Sequence, residues 1–262
     1  MTVYSHTRLA LYEKCPLAYK FRYIDKIKPE VGFIGIEMFM GSRVHETLEY
    51  VYKQRKKSPL EKITLSEILN YYTFIWKNKW SDDVKVIKEG MTAADYLDQG
   101  KLILSEYFHT YQPFDQDETL SVEERIDISI EGFKLMGFID RVSVNKETGR
   151  LEIHDYKTSG NLPEVSDLLK DRQLALYQIG VQRKYNFDGK DCDIVYHFLK
   201  YKKEIRFQKT EEELEDLKKK IVGLIQTVEL ASWENNFPAS VGNFCRWCEF
   251  SAQCPSFPSL KS

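Results

Sequence analysis

Apolar and polar positions change period several times along the chain. Ser5 precedes a helical pattern carried by Leu9, Leu11 and Tyr12, which breaks at Cys15-Pro16 and resumes through Tyr19 and Tyr23. In "SRVHETLEYVYKQ", Val44, Leu48, Val51 and Tyr52 share one stripe, which predicts a helix starting near Ser42 with His45 in its first turn. Residues 64–80 and 92–112 space their aromatics by three and four, with caps at Thr64 and Thr92. From Leu120 to Lys157 the period falls to two. That alternation predicts antiparallel strands over 121–131, 133–145 and 150–157, the last two joined by the turn "NKETG". Helix returns over 166–185, and strands follow near 192–199 and 204–208. A helix from Thr210, with Glu213 in capping-box register, runs to about Leu230. The tail, "FPASVGNFCRWCEFSAQCPSFP", is irregular.

Helices, then an antiparallel group, then a helix and further strands give an α/β fold class: a mixed sheet core with a helical elaboration. No internal repeat, low-complexity tract or Pro/Gly/Ser-rich linker interrupts the 262 residues. One unit over 1–262 is therefore expected: a mainly helical part to 119, a sheet core over 120–209, and a C-terminal helix and cysteine-rich tail over 210–262. The composition, 42% hydrophobic and 30% charged, excludes disorder and collagen-like repeats. No apolar run approaches the roughly 20 residues of a membrane span. The N-terminus lacks the apolar segment and cleavage site of a secretory signal, so a reducing cytoplasm without disulfides is expected. With a net charge of -2, any nucleic-acid surface must be a local patch. "YKQRKK" (52–57), "KYKKEIR" (200–206) and "KKK" (218–220) could supply one, though each reads first as a solvated face.

The strand "EIHDYKTSG" is unusual. Alternation puts Asp155 and Lys157 on one face and Glu152, His154 and Tyr156 on the other. One strand earlier, Asp140 ends the apolar run of "LMGFIDRVSV", where a hairpin would bring it opposite Asp155. Two carboxylates and an ammonium suit hard-cation chemistry: the acids hold Mg²⁺ or Mn²⁺ through oxygen, and the lysine orients or helps deprotonate an attacking water. An Asp–Lys pair on an edge strand is the plainer reading. His45 could add an imidazole ligand or be a satisfied, half-buried side chain. Gln173 and Tyr177, four apart on one helix face, could touch the same cleft or pack there.

In order, "GSRVH", "GFID", "DYK" and "QLALY" resemble the PD-(D/E)XK nuclease superfamily, specifically its RecB-like branch, over essentially the whole chain. The resemblance implies a restriction-endonuclease-like mixed sheet flanked by helices. It implies His45, Asp140 and Asp155 as metal ligands together with the backbone carbonyl of Tyr156, Lys157 as the catalytic lysine, and Gln173 and Tyr177 lining the DNA-side wall. Glu124 would approach the metal, with Glu123 competing for that place.

Five cysteines occur, and Cys245, Cys248 and Cys254 form C-x2-C-x5-C, a spacing that calls for a thiolate-bound metal. Cys15, at the break between two N-terminal helices, is the candidate fourth ligand, while Cys192 in a strand reads as a structural thiol. Zinc and an iron–sulfur cluster both accept four thiolates, and spacing alone favours zinc. One N-terminal cysteine followed, after the nuclease motifs, by three near the C-terminus resembles AddB-type and CRISPR-associated RecB-like nucleases. That implies a structural [4Fe–4S] cluster on Cys15, Cys245, Cys248 and Cys254.

The combined reading is a Mg²⁺- or Mn²⁺-dependent deoxyribonuclease, acting as an exonuclease on single-stranded DNA or DNA ends in repair, recombination or CRISPR adaptation. Aromatics such as Tyr177 would stack bases without reading sequence. DNA is the expected partner, with a helicase or CRISPR integrase subunit as a second; a phosphate loop G-x-x-x-x-G-K-[ST] is absent from the sequence, so a helicase motor would be another polypeptide. No membrane partner is expected. The rival readings are a non-catalytic DNA-end-binding subunit and a metal-bound scaffold.

Overall fold

Caps set most helices where the sequence signals them. The computed structural model describes residues 2–28, 33–187 and 192–257, so 258–262 of the cysteine-rich tail lie outside the described residues. After a short strand β1 (Val3–Tyr4), the Ser5 hydroxyl accepts the Arg8 amide at 3.1 Å and starts α1 (His6–Lys14). Pro16 separates α1 from α2 (Pro16–Tyr19), as a residue without an N–H must. Strand β2 (Ile34–Gly35) leads into α3 (Ile36–Lys57), which starts six residues before the expected Ser42. Ile36, Phe39 and Met40 extend its buried stripe backwards, and Ser42 lies inside the helix with its hydroxyl donating to the Met38 carbonyl at 2.9 Å. His45 therefore stands in the third turn. Gly41 is tolerated mid-helix because α3 passes close to the strand end at Thr158: a Cβ there would meet Thr158 Oγ1 at 2.6 Å.

Helices α4 (Leu65–Lys79) and α5 (Ala93–Tyr111), with β3 (Val84–Lys85) between them, both begin in capping boxes, at Thr64 with Glu67 and at Thr92 with Asp95. Strands β4 (Asp117–Ile130) and β5 (Phe133–Asn145) form a hairpin through Glu131 and Gly132, both at positive φ, the backbone a two-residue turn requires. At "NKETG", Asn145 Oδ1 accepts the amides of Glu147 and Thr148 at 3.0 Å each and leads into β6 (Leu151–Lys157). The helix expected over 166–185 is split into α6 (Val165–Leu168) and α7 (Arg172–Tyr185). Asp171 causes the break: its carboxylate caps the Gln173 amide at 2.7 Å and accepts the Tyr196 hydroxyl at 2.9 Å. Strands β7 (Cys192–Phe198) and β8 (Lys203–Phe207) and helix α8 (Glu211–Glu234) complete the order.

The chain forms two compact units, and three of its crossings between them fall inside β4, β5 and α8. The first comprises the described residues of 1–32, with 127–136 and 215–257. There β1 runs parallel to the start of β5, Val3 opposite Lys134, and Cys15, Ala18 and Phe250 form a small buried cluster. The second unit, Phe33–Ile126 and Gly137–Leu214, carries most of the sheet. Strand β5 pairs antiparallel with β6, β6 parallel with β7, and β7 antiparallel with β8. Helices α3, α4 and α5 share a core that includes Met40, Val44, Leu48, Tyr72 and Leu104 and takes in Tyr156 of β6. Helix α7 packs on β6 and β7. Among the described residues, no helix is long and apolar enough to cross a membrane.

Candidate active site

Strands β5 and β6 stay in register from Val144 opposite Leu151 to Arg141 opposite His154. At the next position Asp140 Oδ2 takes the Tyr156 amide at 2.8 Å, so a side chain closes the ladder. From α3, His45 Nδ1 reaches the same carboxylate oxygen at 3.5 Å. From β4 comes Glu123. Its φ of 47° is left-handed, a conformation that side-chain-bearing residues seldom adopt. His45, Glu123 and Asp140 offer donor atoms that all lie within 4.8 Å of one another. Met38, Ser42, Glu49 and Thr158 help line the open pocket around them.

Asp155 is buried, and Lys157 Nζ stands 2.7 Å from its Oδ2. That ion pair is the partner the structure gives the buried oxygen. Charge crowding marks the site. Burial and the Asp140 carboxylate lift Glu123 to about 7. Burial lifts Asp155 to about 6 against the pull of Lys157. Burial alone would lower His45, but its bond to Asp140 and the charges of Asp140, Asp155 and Glu123 raise it to about 8. An imidazole and three carboxylates, two of them pushed toward neutrality, are a donor set that a divalent cation would satisfy.

Gln173 Nε2 donates to the Tyr177 hydroxyl at 3.2 Å, and the Tyr177 ring lies over Gly137, where a Cβ would come within 2.1 Å of Cε1. Tyr177 is only 6% exposed, so its ring has little free face for a base. Of the two adjacent acids, Glu123 faces His45, whereas Glu124 turns to Lys184 and the hydroxyl of Tyr185. The left-handed turn makes that choice, and residue type gives no sign of it.

Behind β6 lies a polar layer that sequence reasoning missed. Arg141 is 2% exposed; its Nε donates to the Tyr156 hydroxyl at 2.9 Å and its Nη1 pairs with Asp117 at 2.5 Å. His154 and His197 stack at 5.2 Å, with Nδ1 and Nε2 at 2.9 Å, and burial followed by nearby positive charge pushes both well below the usual imidazole range. Asp117, Glu152 and His154 are also grouped closely enough to hold an ion, but Arg141 fills the cation's place there.

The PD-(D/E)XK nuclease superfamily profile matches residues 3–255. This chain belongs to that superfamily. Its nucleases use divalent metals, in keeping with the carboxylate cluster described above. Among solved structures, a protein from Eubacterium rectale provisionally named as an exonuclease has the same fold, with a TM-score of 0.52 at 13% identity over 94% of this chain and 86% of that one. SSO0001 aligns over 80% of this chain and 96% of its own, at 14% identity and a TM-score of 0.35. No curated protein matches the chain at a significant level.

In the first unit, Cys15, Cys245, Cys248 and Cys254 line one pocket, otherwise walled mainly by apolar groups such as Leu17, Phe21, Phe244 and Phe250. Burial raises the Cys248 thiol, and the other three cysteines add to it. Cys192 is apart on β7, buried, with its thiol pushed up to about 12 by burial.

Proposed function

We propose that the protein is a metal-dependent deoxyribonuclease acting exonucleolytically on single-stranded DNA or DNA ends. The observation that carries this reading is the convergence of His45, Glu123 and Asp140 within 4.8 Å, in the unit that also holds the Asp155–Lys157 pair. His45, Asp140 and Asp155, with the Tyr156 carbonyl, would hold Mg²⁺ or Mn²⁺, which when bound supplies charge neutralisation at the scissile phosphate. Lys157 contributes a fixed ammonium. Burial opposes its charge, yet Asp155 and Asp140 outweigh burial and raise its pKa, so it orients water and phosphate by donating. Gln173 and Tyr177 brace the strand that carries Asp140. End-labelled single- and double-stranded DNA incubated with Mg²⁺ or Mn²⁺ tests the proposal, with Asp155→Ala expected to abolish cleavage while the fold persists. Cleavage retained by that variant would reject it. A non-catalytic DNA-end-binding subunit would bind the same substrates and cut none.

We also infer a [4Fe–4S] cluster on Cys15, Cys245, Cys248 and Cys254, supported by their shared apolar pocket. Its role would be structural, tying the N-terminal helices to the tail within the first unit. A colourless protein with one equivalent of zinc after purification without oxygen would replace the cluster and leave the nuclease reading intact.

A further inference from the structure

Asp155 is not the only group beside Lys157. The lysine Nζ also stands 5.5 Å from the centre of the Tyr196 ring, within the distance at which an aromatic face attracts a cation. Strand register explains the meeting. Strands β6 and β7 run parallel with Asp155 opposite Tyr196, and a period of two puts Lys157 on the face of Asp155, one step further along. Tyr196 is fully buried and packs against Phe198 and Phe207, each at 5.9 Å between ring centres. Its hydroxyl donates to Asp171 Oδ2 at 2.9 Å, and the other oxygen of that carboxylate takes the Gln173 amide at 2.7 Å. The ring is therefore fixed twice, by the core and by the cap of α7. A buried tyrosine with a bonded hydroxyl is an ordinary core residue. Tyr196 is set apart by what its ring meets, the lysine of the candidate site.

We propose that Tyr196 is a positioning residue for Lys157, its ring holding the ammonium in place at the candidate site. This inference rests on the nuclease reading. A lysine carries its charge on a flexible four-carbon stem, and a single carboxylate leaves that stem free to turn about one contact. A second carboxylate in contact would hold it but would take up another of its N–H donors. An aromatic face attracts the charge through its quadrupole and accepts no conventional hydrogen bond, so donors remain for water and phosphate. The Lys157 side chain keeps 32% of its surface exposed, whereas Tyr196 keeps none and has no route to the substrate except through the lysine. Asp171 joins this arrangement to α7, the helix of Gln173 and Tyr177.

The test changes the charge of the ring face while keeping a ring in the core. Wild type is compared with Tyr196→Phe and with proteins carrying a difluorinated or a pentafluorinated phenylalanine at position 196. Steady-state cleavage of end-labelled single-stranded and duplex DNA with Mn²⁺ is measured beside Mn²⁺ affinity by calorimetry. Tyr196→Phe keeps the electron-rich face and is expected to stay within about threefold of the wild-type kcat. Fluorine drains that face. The pentafluorinated ring is expected to lower kcat about tenfold below Tyr196→Phe, with KM within about twofold and Mn²⁺ affinity unchanged. The difluorinated ring, closer in size to phenylalanine, should fall between them. A merely structural role would not grade kcat by the charge of the ring. Equal kcat across the three phenylalanine rings, or a fall in kcat matched by a fall in Mn²⁺ affinity, would overturn the role of Tyr196 while leaving the nuclease standing. Wild-type protein inert on every substrate would sink both, and that pattern is distinct.

Discussion

His45 Nδ1 stands 3.5 Å from Asp140 Oδ2, an imidazole from a helix facing a carboxylate from a strand. The pair sets up a competition between protons and cations. In the metal-free site His45 holds a proton up to about pH 8, Glu123 to about 7 and Asp155 to about 6. Each proton must leave before its group can ligate. Mn²⁺ affinity is therefore expected to rise with pH up to about 8 and then level off, with proton release at neutral pH. Calorimetric titration in buffers of different ionisation enthalpy measures both quantities. A pH-independent affinity would contradict the assignment of His45 as a ligand.

Gly137 is expected to accept no larger residue. A Cβ there would lie 2.1 Å from Tyr177 Cε1 and 2.8 Å from Cζ, against a buried ring with nowhere to retreat. Gly137→Ala should cost about 1–3 kcal/mol, the usual range for overpacking, and lower activity by shifting the strand that carries Asp140. Adding Tyr177→Leu should recover part of the stability. Denaturant unfolding of the single and double variants checks this coupling.

His154 and His197 are buried as neutral rings, so their folded pKa values are depressed and the stability they confer is present above the ordinary value near 6.5 and lost as pH falls below it. Glu123 and Asp155 work in the opposite sense, since their raised values let the folded state hold extra protons in the same range. The whole-protein profile mixes the two, so a difference measurement is needed. His197→Gln should be less stable than wild type near neutrality, with the gap closing below about pH 6.5 by up to about 1.4 kcal/mol per pH unit. Urea unfolding of both proteins across that range measures it.

Cys248→Ser should bleach the protein purified without oxygen and lower its iron content, while Cys192→Ser should leave both unchanged, because Cys192 lies buried on β7 outside the cysteine-lined pocket. Visible absorption and iron analysis distinguish the two variants.

Strands β4 to β6 were legible because one face of each is apolar and period two is hard to mimic; the capping boxes of α4, α5 and α8 were legible because their partners sit three residues apart. The start of α3 was hidden by a Gly-Ser pair that resembles a cap, and the break before α7 depends on a bond from Tyr196 to Asp171, 25 residues apart. The order of His45, Asp140, Asp155 and Lys157 pointed to one site; the structure sets His45 beside Asp140 and Lys157 beside Asp155. Which of two adjacent glutamates joins them hung on a single backbone dihedral. The buried Arg141 and the stacked histidines come from three different strands, a pairing that no local pattern announces.

Tyr156 is clamped at both extremities, its amide by Asp140 and its hydroxyl by Arg141 and Tyr107. The residue thus has little liberty to swing, and its orientation depends in part on Arg141 and Tyr107, which hold its far end. Drift in catalytic rate among relatives could then originate at Tyr107 or Arg141, behind the sheet, with every acid at the front intact.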